Sequence, residues 1–583
     1  MLPMARDQWI PIFLFVLSLL VFTHGLSIHG IESRDDEILY FQSTQEMLTQ
    51  HDFLSPTYFG EDRFQKPILY YWLILLSYKI LGVNWFAARF VAVLFAGLTV
   101  LLTWIMAKKF FDSKTATLSA LILMTIPLFF RHAKDAVPDM PLTFFIVLAM
   151  FAAIKFFEDP ACIKYQRLFF VACGLGFMIK GFAALVIPWA TVMTYAFWTK
   201  QTNTFKKIRF WEGLGILAII ILPWFLYMIK IHGNDYLHYM FVEETKNRLV
   251  DLGANHFFYT KGKEFFVNSL FYLKVILSYF SPWSIFFLAA VPFVILKKKY
   301  SGKEAWGLQW LLSWMGVVFL FFASLHVVMN HYLMALTVPF AILLSRAFLA
   351  PLPENDRGQV VTFFRKYGIV FILGLGFFAF AFMVIFMVGA SAGWLIFFLL
   401  IYIFSVVIIQ RSSQAITAPF ILSIFLILFC FQTDLLNKTR MVPQRTLENF
   451  ARTIHQDMHG KKALIGVGSH DLHEQEFQVY FGQPLVKIAT SEELETQLRL
   501  REFFRTPEKA YCLLLEKDFE NHLKYFYPGG LKILREDDMA RKRIALDDQF
   551  FMALLKLDQK KVYEYLMERV VLVKKDDDSH PAF

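Results

Sequence analysis

The sequence predicts a polytopic α-helical membrane protein carrying a soluble α/β domain at its C-terminal end, and three observations predict it. Of 583 residues, 57% are hydrophobic and 18% charged, with 67 Phe, outside the range of ordinary soluble domains. The apolar residues gather in runs close to the about 20 residues that a bilayer crossing needs. After Asp434 the composition shifts to Gly, Asp, Glu, Lys and Gln, and short β-like runs alternate with helical patterns. The net charge of +10 is spread over short Lys and Arg clusters between the apolar runs, as orientation signals are. No basic stripe accompanies a reading helix, which argues against nucleic-acid binding.

The runs can be laid out in order. Residues 9–26 follow Arg6 and lack an A-x-A cleavage site, so they read as an uncleaved first span with its N-terminus inside. A polar loop, 27–67, comes next. Residues 67–80 are apolar but short for a crossing and suit a helix lying in the interface or re-entering it. Residues 85–107 end at Lys108-Lys109, which marks the cytoplasmic side. Residues 118–130 then run outward and 140–157 return toward Lys164 and Arg167.

The stretch 168–198 is broken by Lys180-Gly181. One long helix there would strand Lys200, Lys206, Lys207 and Arg209 outside, so a hairpin with Lys180 at its outer turn fits better. Residues 214–229 lead to a second outer loop, 231–266. Spans over 267–296, 306–325, 332–349, 369–388, 394–409 and 418–431 bring the total to about thirteen, an odd number that leaves the C-terminus outside.

This divides the chain into a membrane domain, 1–433, and a soluble α/β domain, 434–583. Residues 463–467, 511–515 and 570–573 read as strands and 447–458 as a helix. Gly466-Val467-Gly468 lacks the third glycine of a dinucleotide loop, and no Gly-Lys-Ser/Thr is present. Cys162, Cys173, Cys430 and Cys512 form neither a CxxC pair nor a metal-spaced set, and read as packing residues.

Charge beside a bilayer is costly unless it is solvated or used. On this topology three polar sets converge outside: Asp35, Asp36, Glu37 and Lys66 in the first loop; His132, Asp135 and Asp139 in the short outer loop; Glu243, Glu244, Arg248 and His256 in the later one, with Lys180 at the hairpin tip. Carboxylates beside cations suit a site where Lys or Arg binds phosphate oxygens and an acid orients an acceptor or takes its proton. Solvated loop acids, helix capping by Asp135 and Asp139, and a snorkelling Lys180 are the plain structural readings of the same residues. A polyprenyl-lipid transporter would place its charges near the midplane and often show internal repeats, and neither feature is found.

Asp36-Glu37-Ile38-Leu39-Tyr40, Phe64-Gln65-Lys66-Pro67, Tyr70-Tyr71-Trp72, Arg89, the run from Asp139 to Phe145, Lys180-Gly181 and Leu222-Pro223-Trp224 occur in that order. This series resembles the bacterial GT-C membrane glycosyltransferases related to protein O-mannosyltransferases, and among them the lipid A aminoarabinose transferases, over roughly residues 8–345. The resemblance implies a sugar carried on a polyprenyl (undecaprenyl) phosphate and transferred with inversion at the periplasmic face of the bacterial inner membrane. The implied acceptor is lipid A, with another glycan or a protein as the alternative.

The resemblance also implies roles. Asp36 is the catalytic carboxylate, Asp139 a second acid for the acceptor or a divalent cation, and Lys66 the donor-phosphate ligand, followed by Lys180, Arg248 and His256. Glu37, Tyr40, Gln65 and Arg89 are supporting residues. A divalent cation held by Asp36 and Asp139 is the one candidate cofactor. Gln65 stands where these transferases commonly have Glu, and Leu39 where they often have Arg, changes that bear on the acceptor more than on the fold.

Overall fold

The computed structural model describes residues 6–26, 35–239, 257–297, 302–350, 367–375, 392–411, 417–427, 446–458, 463–469, 472, 485–488, 493–505, 509–523, 531–540 and 567–575. It divides into two compact units. One comprises residues 1–26, 43–380 and 395–431; the other comprises 27–42, 381–394 and 432–583.

The first unit is a bundle of apolar helices. After α1 (Arg6–Thr23) and α2 (Asp35–Gln50), of which residues 43–50 belong to this unit, a two-residue hairpin, β1 (Thr57–Tyr58) with β2 (Glu61–Asp62), leads into α3 (Leu69–Leu81). Gly82 stops α3 at φ 80°, so this helix has 13 residues, fewer than a crossing needs. Helices α4 (Trp85–Phe110), α5 (Ser113–Thr125), α6 (Pro127–His132) and α7 (Asp139–Glu158) follow. Asn84 caps α4 and Asp112 caps α5, each side chain accepting a backbone N–H three residues on. Helices α8 (Ile163–Lys180) and α9 (Ala183–Trp198) form the hairpin expected around Lys180-Gly181.

Helix α10 (Phe210–His238) packs on α8, where Gly213 lies so close to the Phe170 ring that a Cβ there would fall 2.1 Å from it. The outer face of α10 leaves Trp211 and Ile219 exposed, as suits contact with lipid tails. Two expectations need correction here. The helix continues through residue 231, where an outer loop was expected to begin, because the break at Gly233 (φ 55°, ψ −129°) is followed by a further helical turn through His238. The expected single span 267–296 is two helices, α11 (Phe257–Tyr279) and α12 (Trp283–Lys297), bent by 115° where Pro282 interrupts the helix.

Beyond α13 (Gly302–Ala323), a 3₁₀ turn (Asn330–Leu336) runs into α14 (Thr337–Leu349), and α15 (Ala392–Arg411) follows. Among the described residues, five helices are long and apolar enough to cross a membrane, or up to six with the bent pair taken as one span. That is fewer than the apolar runs suggested, since several runs are divided into shorter helices and others lie outside the described residues.

The second unit contains a five-stranded sheet in the order β4 (Val486–Lys487), β3 (Ala463–Val467), β5 (Lys509–Leu515), β7 (Met567–Lys575), β6 (Leu531–Ala540), with β3 parallel to β4 and β5, and β7 antiparallel to β5 and β6. Alternation along β5 sends Tyr511, Leu513 and Leu515 to one face, against Phe450 and Ile454 of α16 (Thr446–Met458). Ala510, Cys512 and Leu514 face Leu500, Phe503 and Phe504 of α17 (Glu493–Arg505). A strand covered on both faces reads as an unbroken apolar run, which is why 511–515 stood out in the sequence. Burial pushes the Cys512 thiol up, in keeping with a packing role.

Candidate active site

Two helix ends build the centre of the site. Asp139 opens α7 directly after Pro138, where its charge favours the N-terminal end of the helix dipole, and the Thr143 hydroxyl donates back to the Asp139 carbonyl. Lys180 closes α8, where a cation is favoured, and Gly181 ends that helix with φ 94° and ψ −147°, a conformation open to glycine. The connection returns the end of α8 to the start of α7, and Lys180 Nζ donates to Asp139 Oδ1 at 2.7 Å. Both side chains are almost fully withdrawn from solvent, at 12% and 7% exposed. A buried charge pair of this kind persists only with close geometry and further partners.

Further partners are present. His331, on the 3₁₀ turn, sets Nε2 3.7 Å from Asp139 Oδ1, and its ring lies 5.7 Å from that of the fully buried His132. The Tyr332 ring lies beneath the Lys180 ammonium at 5.9 Å, within cation–π range. The pair faces a cavity of about 430 Å³ whose walls are mainly apolar, with Leu142, Ile146, Phe182 and Val186 among them. Gln65, Lys66 and Pro67 line the same cavity, and Lys66 Nζ donates to the Gln65 carbonyl at 2.8 Å. An apolar cavity with two lysines at its surface has the chemistry to hold an amphiphile with an anionic head.

Four residues singled out from the sequence thus meet in one place: Gln65, Lys66, Asp139 and Lys180. Arg89 does not line that cavity. It is a buried cation inside α4, donating to the Leu26 carbonyl at 3.0 Å and lying over the Trp85 ring. Asp36, exposed, and Glu37 and Tyr40, both buried, stand in the first turns of α2 and fall in the second compact unit. Arg248 and His256, with Glu243 and Glu244, lie outside the described residues. His331 and Tyr332 were missed, because a His-Tyr pair opening an apolar run carries no periodic signal of its own.

The residues present do not suit a divalent cation at Asp139. Among the described residues lining the cavity it is the one carboxylate, its Oδ1 already accepts from an ammonium, and a second lysine lines the same space. No group of three or more His, Cys, Asp or Glu able to hold a metal occurs among the described residues.

The family model for dolichyl-phosphate-mannose-protein mannosyltransferase matches residues 65–227. An uncharacterized protein of Aquifex aeolicus is 31% identical over 312 residues, 53% of this chain and 58% of that protein. The undecaprenyl phosphate-alpha-4-amino-4-deoxy-L-arabinose arabinosyl transferase 1 of Pseudomonas fluorescens is 28% identical over 359 residues, 59% of this chain and 60% of that protein. The chain thus spans about six-tenths of the length of the curated relatives it matches. Among solved structures, ArnT from Cupriavidus metallidurans bound to undecaprenyl phosphate superposes with a TM-score of 0.68 at 14% identity, covering 99% of this chain and 100% of that one. The apo form of the same protein gives 0.67 at 16% identity. The chain has the GT-C membrane fold with a C-terminal α/β domain.

Proposed function

We propose that this chain, a GT-C-fold relative of the lipid-linked glycosyltransferases, is an inverting glycosyltransferase. It moves a sugar from an undecaprenyl phosphate donor to an envelope acceptor, 4-amino-4-deoxy-L-arabinose being the sugar in its relatives' names and lipid A the acceptor that the sequence resemblance implies. The observation that carries the proposal is the apolar cavity lined by both Lys66 and Lys180, which suits a lipid tail and a phosphate head. On this reading the acceptor oxygen attacks the anomeric carbon opposite the phosphate, the bond from that carbon to the phosphate oxygen breaks, and undecaprenyl phosphate departs. Lys66 and Lys180 stabilise the charge that develops on the leaving phosphate. An ammonium has three hydrogens, so Lys180 can hold Asp139 and a phosphate oxygen together.

Asp36, assigned from its motif, orients an acceptor that is already an anion, or takes the proton of a hydroxyl acceptor. Arg248 and His256 remain candidates for further phosphate contacts. The site and the domain from residue 434 onward are assigned to the periplasmic side of the bacterial inner membrane. Gln65 and the family model's description favour a second reading, mannosyl-type transfer to a protein or another glycan.

The test is mass spectrometry of lipid A from cells with and without the gene, in a host that makes undecaprenyl phosphate aminoarabinose. The expected result is a mass gain equal to one aminoarabinose that disappears in Asp36→Asn. An unchanged lipid A would move the acceptor to another glycan or a protein, and full transfer by Asp36→Asn would remove that residue from the mechanism.

A further inference from the structure

The strap between α2 and α3 that leads to Lys66 is fastened to α10 by an arrangement unrelated to the Asp139 cluster. The Ser55 hydroxyl and His232 Nε2 are 2.7 Å apart, and His232 Nδ1 lies 3.2 Å from Asp62 Oδ2. Phe64 stands edge-on to the His232 ring at 4.9 Å and to Tyr236 one turn further along α10 at 5.5 Å. Lower on the same helix, Trp224 Nε1 donates to the Leu54 carbonyl at 2.9 Å. From the other side Glu46 accepts from the Thr57 hydroxyl and the backbone N–H groups of Phe59 and Gly60, fixing the hairpin.

The connectivity matches a serine hydrolase triad, with Nε2 toward the hydroxyl and Nδ1 toward the carboxylate. Its surroundings do not. Ser55 is buried, its own N–H donates to Asp52 Oδ1, and the next residue, Pro56, has no N–H, so neither donor is left for an oxyanion. The arrangement therefore works as a fastening. A neutral His232 protonated on Nδ1 donates to Asp62 and accepts from Ser55, whereas a protonated ring donates to both, so the fastening holds in either charge state.

We propose that His232 is a positioning residue: through Asp62, Ser55 and Phe64 it fixes the segment Phe64–Pro67 and so sets Lys66 at the cavity. The inference rests on the reading of Lys66 as a phosphate ligand. The fastening ends two residues before Lys66, and the long, flexible lysine side chain gains a defined origin only if its backbone is held. Gly233, directly after His232, supplies the backbone break that ends the straight part of α10 there.

The experiment measures the affinity of undecaprenyl phosphate for the purified full-length protein in nanodiscs. His232→Ala and Asp62→Ala are expected to weaken binding about tenfold, on the order of the loss of one hydrogen bond to a charged group. Asp62→Asn, which keeps an acceptor oxygen for Nδ1–H, should stay within about twofold. In a Lys66→Ala background, His232→Ala should weaken binding no further, because its effect passes through Lys66. An additive loss in that background would reveal general damage and overturn the inference, as would unchanged binding by His232→Ala alone. Failure of the unsubstituted protein to bind undecaprenyl phosphate would overturn the phosphate-site reading and this inference with it.

Discussion

Each compact unit contains a lysine–carboxylate pair beside a tyrosine, and the two pairs differ in what surrounds them. In the first unit Lys180 meets Asp139 at 2.7 Å with Tyr332 beneath the ammonium. In the second, Lys574 meets Asp457 at 3.0 Å and the Tyr511 hydroxyl donates to the same carboxylate at 2.6 Å. The Asp457 pair ties α16 to the sheet, whereas the Asp139 pair faces an open cavity with a second lysine and a histidine. An ion pair does not by itself mark a site; open volume beside it, and further groups aimed into that volume, do.

The same lysine-to-methionine substitution separates the two pairs. Lys180→Met is expected to lower sugar transfer by at least about 100-fold, the scale seen when a donor to developing charge is removed, while Lys574→Met should leave transfer within about twofold. Equal losses, read by the lipid A assay, would show that both pairs are merely structural. A smaller effect is expected at the hinge behind the first pair. Gly181→Ala forces a side chain into a conformation that costs about 1–3 kcal/mol, displacing Lys180, and should reduce transfer while the protein still inserts into the membrane. Undiminished activity would show that the position of Lys180 is not critical.

The smallest expected effect concerns the second pair and acid. Burial would raise Asp457, but the Tyr511 hydroxyl, Lys574 and Lys509 outweigh it and hold its carboxyl below the usual range. A depressed folded-state value means that the pair adds stability above the unfolded value of about 3.9 and loses it as pH falls further. The protection of β5 amides against hydrogen exchange, relative to their intrinsic rates at each pH, should therefore fall below about pH 4 in the full-length protein. In Asp457→Asn this acid step should be missing; if it persists unchanged, other groups carry it.

Much of the fold was legible because a bilayer and a two-faced sheet both write simple patterns. The interruption at Lys180-Gly181 stood out because a lysine followed by glycine cannot sit comfortably inside an apolar helix, and the unbroken run over 511–515 marked a strand covered on both sides. Asp139, Lys66 and Lys180 were conspicuous as charges beside apolar runs. His331 was not, because only the 3₁₀ turn brings it to Asp139, and separation along the chain says nothing about that approach. Ser55, Asp62 and His232 were hidden for the same reason: the hairpin and α10 come together through packing that no local spacing encodes. The bend near Pro282 was overlooked because hydropathy is continuous through it.

Two lysines lining one cavity have a consequence for the catalytic cycle as well as for the reaction step. On the proposed chemistry the donor is a phosphate diester with one negative charge, and the departing polyprenyl phosphate is a monoester that gains a second. The cations that ease its departure from the sugar then hold it more firmly than they held the donor. Turnover would be paced by escape of the spent carrier into the bilayer, and undecaprenyl phosphate would act as a product inhibitor whose grip loosens as its second charge is protonated.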